Sequence, residues 1–557
     1  MCGIAGFVRR DAPEPVDHEI LARMTRSIAH RGPDDDGAWS AAGAFLGHRR
    51  LSIIDIAGGH QPIVSEDGRV AVVFNGEIYN HAELREQLLA KGHRFVTRSD
   101  TEVLVHLWED ERESMVGRLE GMFAFAIWDA RDRTLLLARD RMGKKPLYWG
   151  LFGGELVFAS ELRAMLAHPA VPRDVDPASL YRYLTIDYVP TPWSMIKGIH
   201  KVDSGGYVVF SEGVAREASY TDIRVSPLPV EPGPSEAAGL VWNTLCQSVR
   251  RRLESEVPLG VFLSGGLDST AIVAAMAQEV AASDIRTFTI GFDDPSYDES
   301  GPARTVARHF GTEHFEHVLT GAEAVRLVDD CAGIADEPLA DPSIVPTYLL
   351  ARFAREHVTV ALSGDGGDEL FYGYPTFLAD GPGRLAAALL PRTFRERIVP
   401  RLASYLPVAA GNMSAGFKAQ RFARGLRFGR FERHLAWIGG FSPEAARSVL
   451  SPGIRDRLGG LTDYPDVEAL LESNGDWPDL KRLAYLYSRL YLRDGVLVKV
   501  DRAAMAVGLE VRAPFLDSAM VRLAFALPPR LSLARGTTKA VLRRTLASRV
   551  PDAILRR

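Results

Sequence analysis

Through roughly the first two hundred positions, apolar residues come in short bursts broken by Gly and Asp, the pattern of brief strands joined by tight turns. VAVVFNGEIYN (Val70–Asn80), FAFAIWDA (Phe123–Ala130) and TLLLARD (Thr134–Asp140) are rich in β-branched and aromatic residues, and another apolar run begins at Ile4. Segments of helical period such as HAELREQLLAKG, from His81, lie between them. Strands covered by such helices predict an α+β domain. VSPLPVEPGPS (Val225–Ser235) holds four prolines in eleven positions and fits neither period, so it reads as linker.

Beyond it the pattern becomes strand, loop, helix, repeated. VPLGVFL from Val257 leads into SGGLDS and the helical STAIVAAMAQEV. RTFTIGF from Arg286 precedes an apolar helix near Ala303 to Phe310, and HVTVAL from His357 runs into SGDGGDE. Nearly continuous apolar strands followed by Gly-rich turns predict a parallel sheet with ligands at its carboxyl ends. From about Arg384 onward the pattern is mainly helical. The division is a domain over 1–210, a linker over 211–235 and a second domain over 236–557; 557 residues suffice to give each its own core.

Composition adds exclusions. A net charge of −5 with 25% charged residues gives no basic excess, so neither nucleic acid nor a membrane is expected as a partner. No apolar run is long enough to span a bilayer, and the N-terminus lacks the layout of a secretory signal. The expectation is a cytoplasmic protein. Cys2, Cys246 and Cys331 are too scattered for a disulfide framework, and no HExxH or comparable spacing marks a zinc site.

Cys2 changes the picture, because the chain opens MCGIAGF. Removal of Met1 would leave a thiol and a free α-amino group on one residue. The amine, with a reference pKa of about 7.7 to 8.0, is partly neutral at cellular pH and can act as base for the thiol. As a bland alternative, Cys2 is a small buried hydrophobe opening a strand.

MCGIAGF, HRGPDD (His30–Asp35), GHRRLSIID (Gly47–Asp55), FNGEIYN (Phe74–Asn80) and SDTE (Ser99–Glu102), in that order, resemble class II glutamine amidotransferases of the N-terminal nucleophile type. The resemblance implies an αββα sandwich in which Cys2 attacks the glutamine side-chain amide and releases ammonia. It implies that Asn75 and Gly76 form the oxyanion hole, that Arg50 (with Arg49 as alternative) forks onto the substrate carboxylate, and that Asp100 and Glu77 hold its ammonium.

In the second half, the loop SGGLDS where a strand meets a helix is suited to phosphate, though it lacks the GxxxxGK[ST] of a P-loop. It resembles the pyrophosphate loop of ATP pyrophosphatases. With TFTIGFDDPSYDES, LSGDGGDELFYGY and LVKVDRAAMAVGLEVRAPFLD, this half resembles the asparagine synthetase family. The implied cofactors are ATP and Mg²⁺, the metal held by Asp268 and Asp368. Ser264, Gly265, Gly266 and Ser269 are expected to cradle pyrophosphate, with Leu263, Ile290, Ser363 and Gly364 completing the ATP site. Lys499 is expected to stabilise the acyl adenylate. The expected partners are glutamine, aspartate and ATP, with a homodimer possible and an internal ammonia passage implied.

Asp365 stands in SGDGGDE where well-studied members carry Glu, the position of the base for incoming ammonia, and FYGY stands where FGGY is commoner. The chain stops at PDAILRR, where relatives run on into a helical tail. The rivals to asparagine synthesis are amidation or cyclisation of another carboxylate, in a peptide or specialised metabolite, and a glutaminase with a non-catalytic nucleotide domain.

Overall fold

In a computed structural model, which describes residues 2–9, 15–41, 43–223, 227–409, 411–472 and 474–556, the N-terminal strands build two six-stranded antiparallel sheets. One places Gly3–Val8 between Glu155–Ala159 and Ala44–Arg50. The other runs from Ile63–Val64 through Val70–Ile78, Gly121–Asp129 and Thr134–Arg139 to Gly206–Ser211 and Val214–Ser219. Their central strands read as apolar throughout because both faces are covered there. In Val70–Ile78, Ala71 and Val73 face the partner sheet, while Val70, Val72 and Phe74 pack against the helices His81–Ala90 and Glu102–Glu111. In Gly3–Val8, Ile4 and Val8 join the inter-sheet core, and Ala5 and Phe7 pack on helix Pro15–Ser27. The result is the four-layer αββα sandwich. Phe125, fully buried beneath the helices, is one residue whose truncation to Ala would cost about 3–5 kcal/mol.

The expected linker over 211–235 begins inside this sandwich. Val214–Ser219 pairs antiparallel with Gly206–Ser211 and completes the second sheet, because the turn at Glu212–Gly213 returns the chain onto its own edge. Of the proline-rich stretch 225–235, residues 225 and 226 lie outside the described residues. Helix Pro234–Arg251 follows, with proline in its first turn.

The second half forms a five-stranded parallel sheet. Its strands, Leu259–Phe262, Arg286–Phe292, Glu313–Leu319, Val360–Leu362 and Glu510–Arg512, lie in the spatial order 3-2-1-4-5. Strand order therefore reverses between Leu259–Phe262 and Val360–Leu362, the place where an open parallel sheet leaves a crevice. SGGLDS and SGDGGDE leave the carboxyl ends of those two neighbours. The helix after SGGLDS begins at Leu267, two residues before the sequence pattern suggests, and ends at Met276. Helices dominate from Pro375 to Met505.

Candidate active sites

Cys2 sits where the first sheet meets the second. Its backbone nitrogen donates to Asn75 Oδ1 at 3.0 Å, and its thiol lies 4.0 Å from the Leu51 carbonyl. Burial pushes the thiol pKa up, so the sulfur is protonated at neutral pH until a base removes the proton. Asn75 Nδ2 is buried and has no hydrogen-bond partner. Stranding a donor in this way costs roughly 1–3 kcal/mol, and it leaves an amide free to meet an anion. Beside it, a Cβ on Gly76 would stand 2.0 Å from the Met122 carbonyl oxygen, so only glycine lets the two strands close there.

The two candidate arginines part company. Arg50 is buried, and its guanidinium nitrogens donate to the carbonyls of Ile54, Asp55 and Ile56 at 2.7–3.1 Å. Arg49 points the other way, to the Thr25 carbonyl and toward exposed Asp36. Asp100 is buried, accepts the Ile78 N–H at 2.9 Å, and has its pKa raised by that burial. Glu77 lies instead against Arg512 of the second half, 3.2 Å from its Nη2.

The parallel-sheet crevice holds a cavity of about 390 Å³. Leu263, Ser264, Asp268, Ser269 and Ile290 line one part of it, and Ser363, Gly364, Asp365 and Lys499 another; Gly265, Gly266 and Asp368 do not contribute to its walls. The Ser264 and Ser269 hydroxyls lie 3.1 Å apart, and Gly266 caps the following helix with no side chain over its first N–H groups. Gly265 has φ +70°, and a Cβ there would meet Ala303 N at 2.5 Å. The loop therefore lies directly against the next helix. Asp365 accepts the Ser363 hydroxyl at 2.7 Å.

Asp268 and Asp368 converge on one point. Lys539 Nζ is 2.5 Å from Asp268 Oδ2 and 2.6 Å from Asp368 Oδ1, while Asp268 Oδ1 is buried without a hydrogen-bond partner. Two carboxylates focused on a cation, with one oxygen to spare, fit a hard divalent ion. Lys499 donates to Asp341 Oδ2 at 2.9 Å and Ser343 Oγ at 2.7 Å. Glu369, next to Asp368, is pushed by burial up to about 8 and accepts the Tyr374 hydroxyl at 2.6 Å.

Several of these residues had no role in the sequence reading. Arg31, inside HRGPDD, is fully buried: its Nε donates to the Cys2 carbonyl at 3.1 Å, and its two Nη atoms grip Asp501 at 2.8 and 3.1 Å. Glu161 accepts from Arg31 at 2.8 Å and pairs with Arg502 at 2.8 Å. Burial opposes ionisation of Glu161, yet Arg502 and Arg31 hold its carboxyl well below the usual range. Helix Leu497–Met505 therefore carries Lys499 into the crevice and Asp501 to the arginine behind Cys2. Lys144, whose Nζ is buried and unpartnered, lines a small cavity with Tyr79, Met122, Arg252 and Ala513, drawn from both halves, and burial pushes it down to about 7. The signal for Lys144 was legible: a lysine pair enclosed in an otherwise apolar stretch, MGKKPLYWG.

Residues 1–221 match the glutamine amidotransferase domain family, and residues 241–557 match the asparagine synthase family. Among curated proteins, the glutamine-hydrolysing asparagine synthetase 1 of Bacillus subtilis is 34% identical over all of this chain and 86% of its own. A putative glutamine-hydrolysing asparagine synthetase of Mycobacterium tuberculosis is 34% identical with the same coverage. Glutamine-hydrolysing asparagine synthetase 3 of B. subtilis is 29% identical, again over all of this chain and 86% of its own.

Proposed function

Because the chain belongs to the family of glutamine-hydrolysing asparagine synthetases, we propose that it converts aspartate to asparagine with glutamine as nitrogen donor, cleaving ATP to AMP and pyrophosphate. The observation that carries this reading is the shared helix Leu497–Met505, which holds Lys499 in the nucleotide-sized crevice and, through Asp501 and Arg31, braces the carbonyl of Cys2.

At the first site, once Met1 is removed, the Cys2 α-amine takes the thiol proton and the sulfur attacks the glutamine side-chain carbonyl. Asn75 Nδ2 and the Gly76 N–H receive the oxyanion. Arg50 holds the substrate carboxylate, and Asp100, with Glu77 nearby, the ammonium. Collapse of the intermediate expels ammonia, to which the amine returns its proton, and water releases glutamate from the thioester.

At the second site, Leu263 and Ile290 flank the nucleoside, with Ser363 and Gly364 closing the pocket. Ser264, Gly265, Gly266 and Ser269 receive the β- and γ-phosphates. Asp268 and Asp368 would hold Mg²⁺, which when bound neutralises charge on the triphosphate and the departing pyrophosphate. Lys499 steadies the α-phosphate as the aspartate carboxylate displaces pyrophosphate. Ammonia then attacks the acyl carbon, Asp365 takes its proton, and AMP leaves. Local release of ammonia matters because free ammonia is mostly protonated at neutral pH.

The test is to incubate the protein with ATP, Mg²⁺ and glutamine, with and without aspartate, and to quantify AMP, pyrophosphate, glutamate and asparagine. All four should rise in step only with aspartate. Glutamate without AMP would overturn the proposed acceptor.

A further inference from the structure

Large apolar side chains left in solvent are concentrated in one stretch: of 27 among the described residues, ten fall between Leu378 and Met413. A helix runs here from 392 to 403 and includes a π-helical turn, Phe394–Ile398. Phe394, Ile398 and Leu402 recur every fourth residue of this helix, and Tyr405 and Leu406 follow in the turn beyond its end. All five are exposed, Leu402 to 61% and Tyr405 to 78%. Between 392 and 406 only Ala403 is buried. An amphipathic helix in a folded protein normally turns its apolar stripe to the core; this one turns it to water. Leu385 and Leu389, at the end of helix Pro375–Leu389, add exposed apolar surface just upstream.

The charge here is equally lopsided. Residues 381–409 carry Arg384, Arg392, Arg395, Arg397 and Arg401 against the single carboxylate of Glu396, a local balance of +4 in a chain whose total is −5. Whole-chain charge conceals this cluster. Arg384, Arg392, Arg397 and Arg401 are exposed.

We propose that this surface docks the enzyme onto a bilayer bearing anionic headgroups. The apolar row enters the boundary between headgroups and acyl chains, while the arginines lie over it and reach lipid phosphates. The attachment is peripheral, since among the described residues no helix is long and apolar enough to cross a membrane. Charge selects this occupant over a second copy of the chain: in a two-fold contact the arginine cluster would face its own image. The docked segment is tied to the rim of the synthetase crevice, because the Asn412 N–H donates to Ser296 Oγ at 3.2 Å, in the loop after the strand carrying Ile290.

The experiment mixes the full chain with vesicles of phosphatidylcholine alone and of phosphatidylcholine with phosphatidylglycerol, reads the bound fraction by sedimentation, and records oligomeric state by light scattering. The protein should sediment only with the anionic vesicles, and less as salt rises. Arg397→Gln with Arg401→Gln should weaken partitioning roughly 25-fold, at about fivefold per charge removed. Leu402→Asp with Tyr405→Asp should abolish it, and both double variants should form AMP in solution like the parent. The proposal is overturned if the parent ignores anionic vesicles or if Leu402→Asp with Tyr405→Asp binds them as well as the parent. A parent dimer split by these substitutions, with vesicles left unbound, would assign the surface to self-association and overturn it too.

Discussion

Arg512 joins the two halves at Glu77: its Nη2 lies 3.2 Å from the Glu77 carboxylate, while its own carbonyl accepts the Ser363 N–H at 2.8 Å. Ser363 in turn donates to Asp365. One residue thus touches the strand that carries Asn75 and Gly76 and the loop that carries Asp365, the proposed base. Arg512 Nε is also 2.6 Å from buried Glu510, so the guanidinium faces two carboxyl groups directly.

Arg512→Met should therefore destabilise the fold by about 3–5 kcal/mol, because it removes the buried guanidinium that faces the carboxyl groups of both Glu77 and Glu510. Urea denaturation measures this directly. In the milder Arg512→Lys, glutamate formed per asparagine should rise above one, since a single ammonium cannot hold both carboxylates and the loop together.

Asn75 holds the Cys2 nitrogen with one side-chain atom and leaves the other free. Asn75→Ala should lower glutamine-dependent kcat by about 10²–10³-fold. Synthesis from ammonium chloride should persist, as it should in Cys2→Ala, and its loss in Cys2→Ala would refute a two-site enzyme.

Asp268 and Asp368 focus on the Lys539 ammonium. Asp268→Asn should abolish AMP formation while glutaminase activity survives, because its neighbours, Lys539 and the loop at Gly364 and Gly367, lie in the second half of the chain. Isothermal titration with ATP and Mg²⁺ should show lost metal-dependent affinity; retained affinity would remove Asp268 from the metal site.

Glu369 makes stability fall as pH rises. Its carboxyl titrates at about 8 when folded against a reference value of 4.5, so between those values the folded state holds a proton that the unfolded state has lost. Stability drains away from about pH 5 to pH 8 and the loss is complete above that. Glu369→Gln keeps an oxygen for the Tyr374 hydroxyl and has no proton to lose. The melting temperature of the Gln variant should gain on the parent steadily across this window, and parallel curves would refute the assignment.

Legibility followed the range of the interactions. The β-branched and aromatic run of Val70–Ile78 and the runs before SGGLDS and SGDGGDE announce a covered sandwich and a parallel sheet, because strand-forming composition and Gly-rich turns are local. Cys2 and Asn75 stand out from their neighbours in the same way. Arg31 does not: its partners Glu161 and Asp501 are 130 and 470 positions away. Lys539 is 271 positions from Asp268, and before folding it is one more lysine at the head of a basic helix. Whole-chain charge averages the arginines of 381–409 into an acidic total. The second sheet's last strand was hidden for a related reason: Val214–Ser219, largely exposed at an edge, lacks the continuous apolar run of the inner strands it joins.

The helix Leu497–Met505 also limits how such enzymes can be recombined. A glutaminase half transplanted onto a foreign synthetase would bring Arg31 and Glu161 to a seam that must offer a carboxylate and a guanidinium at the same depth as Asp501 and Arg502. Without them, the buried Arg31–Glu161 pair would lose the carboxylate and the guanidinium that complete it. Chimeras cut at the proline-rich stretch should therefore express as folded, active proteins only when the recipient helix is exchanged together with the N-terminal half.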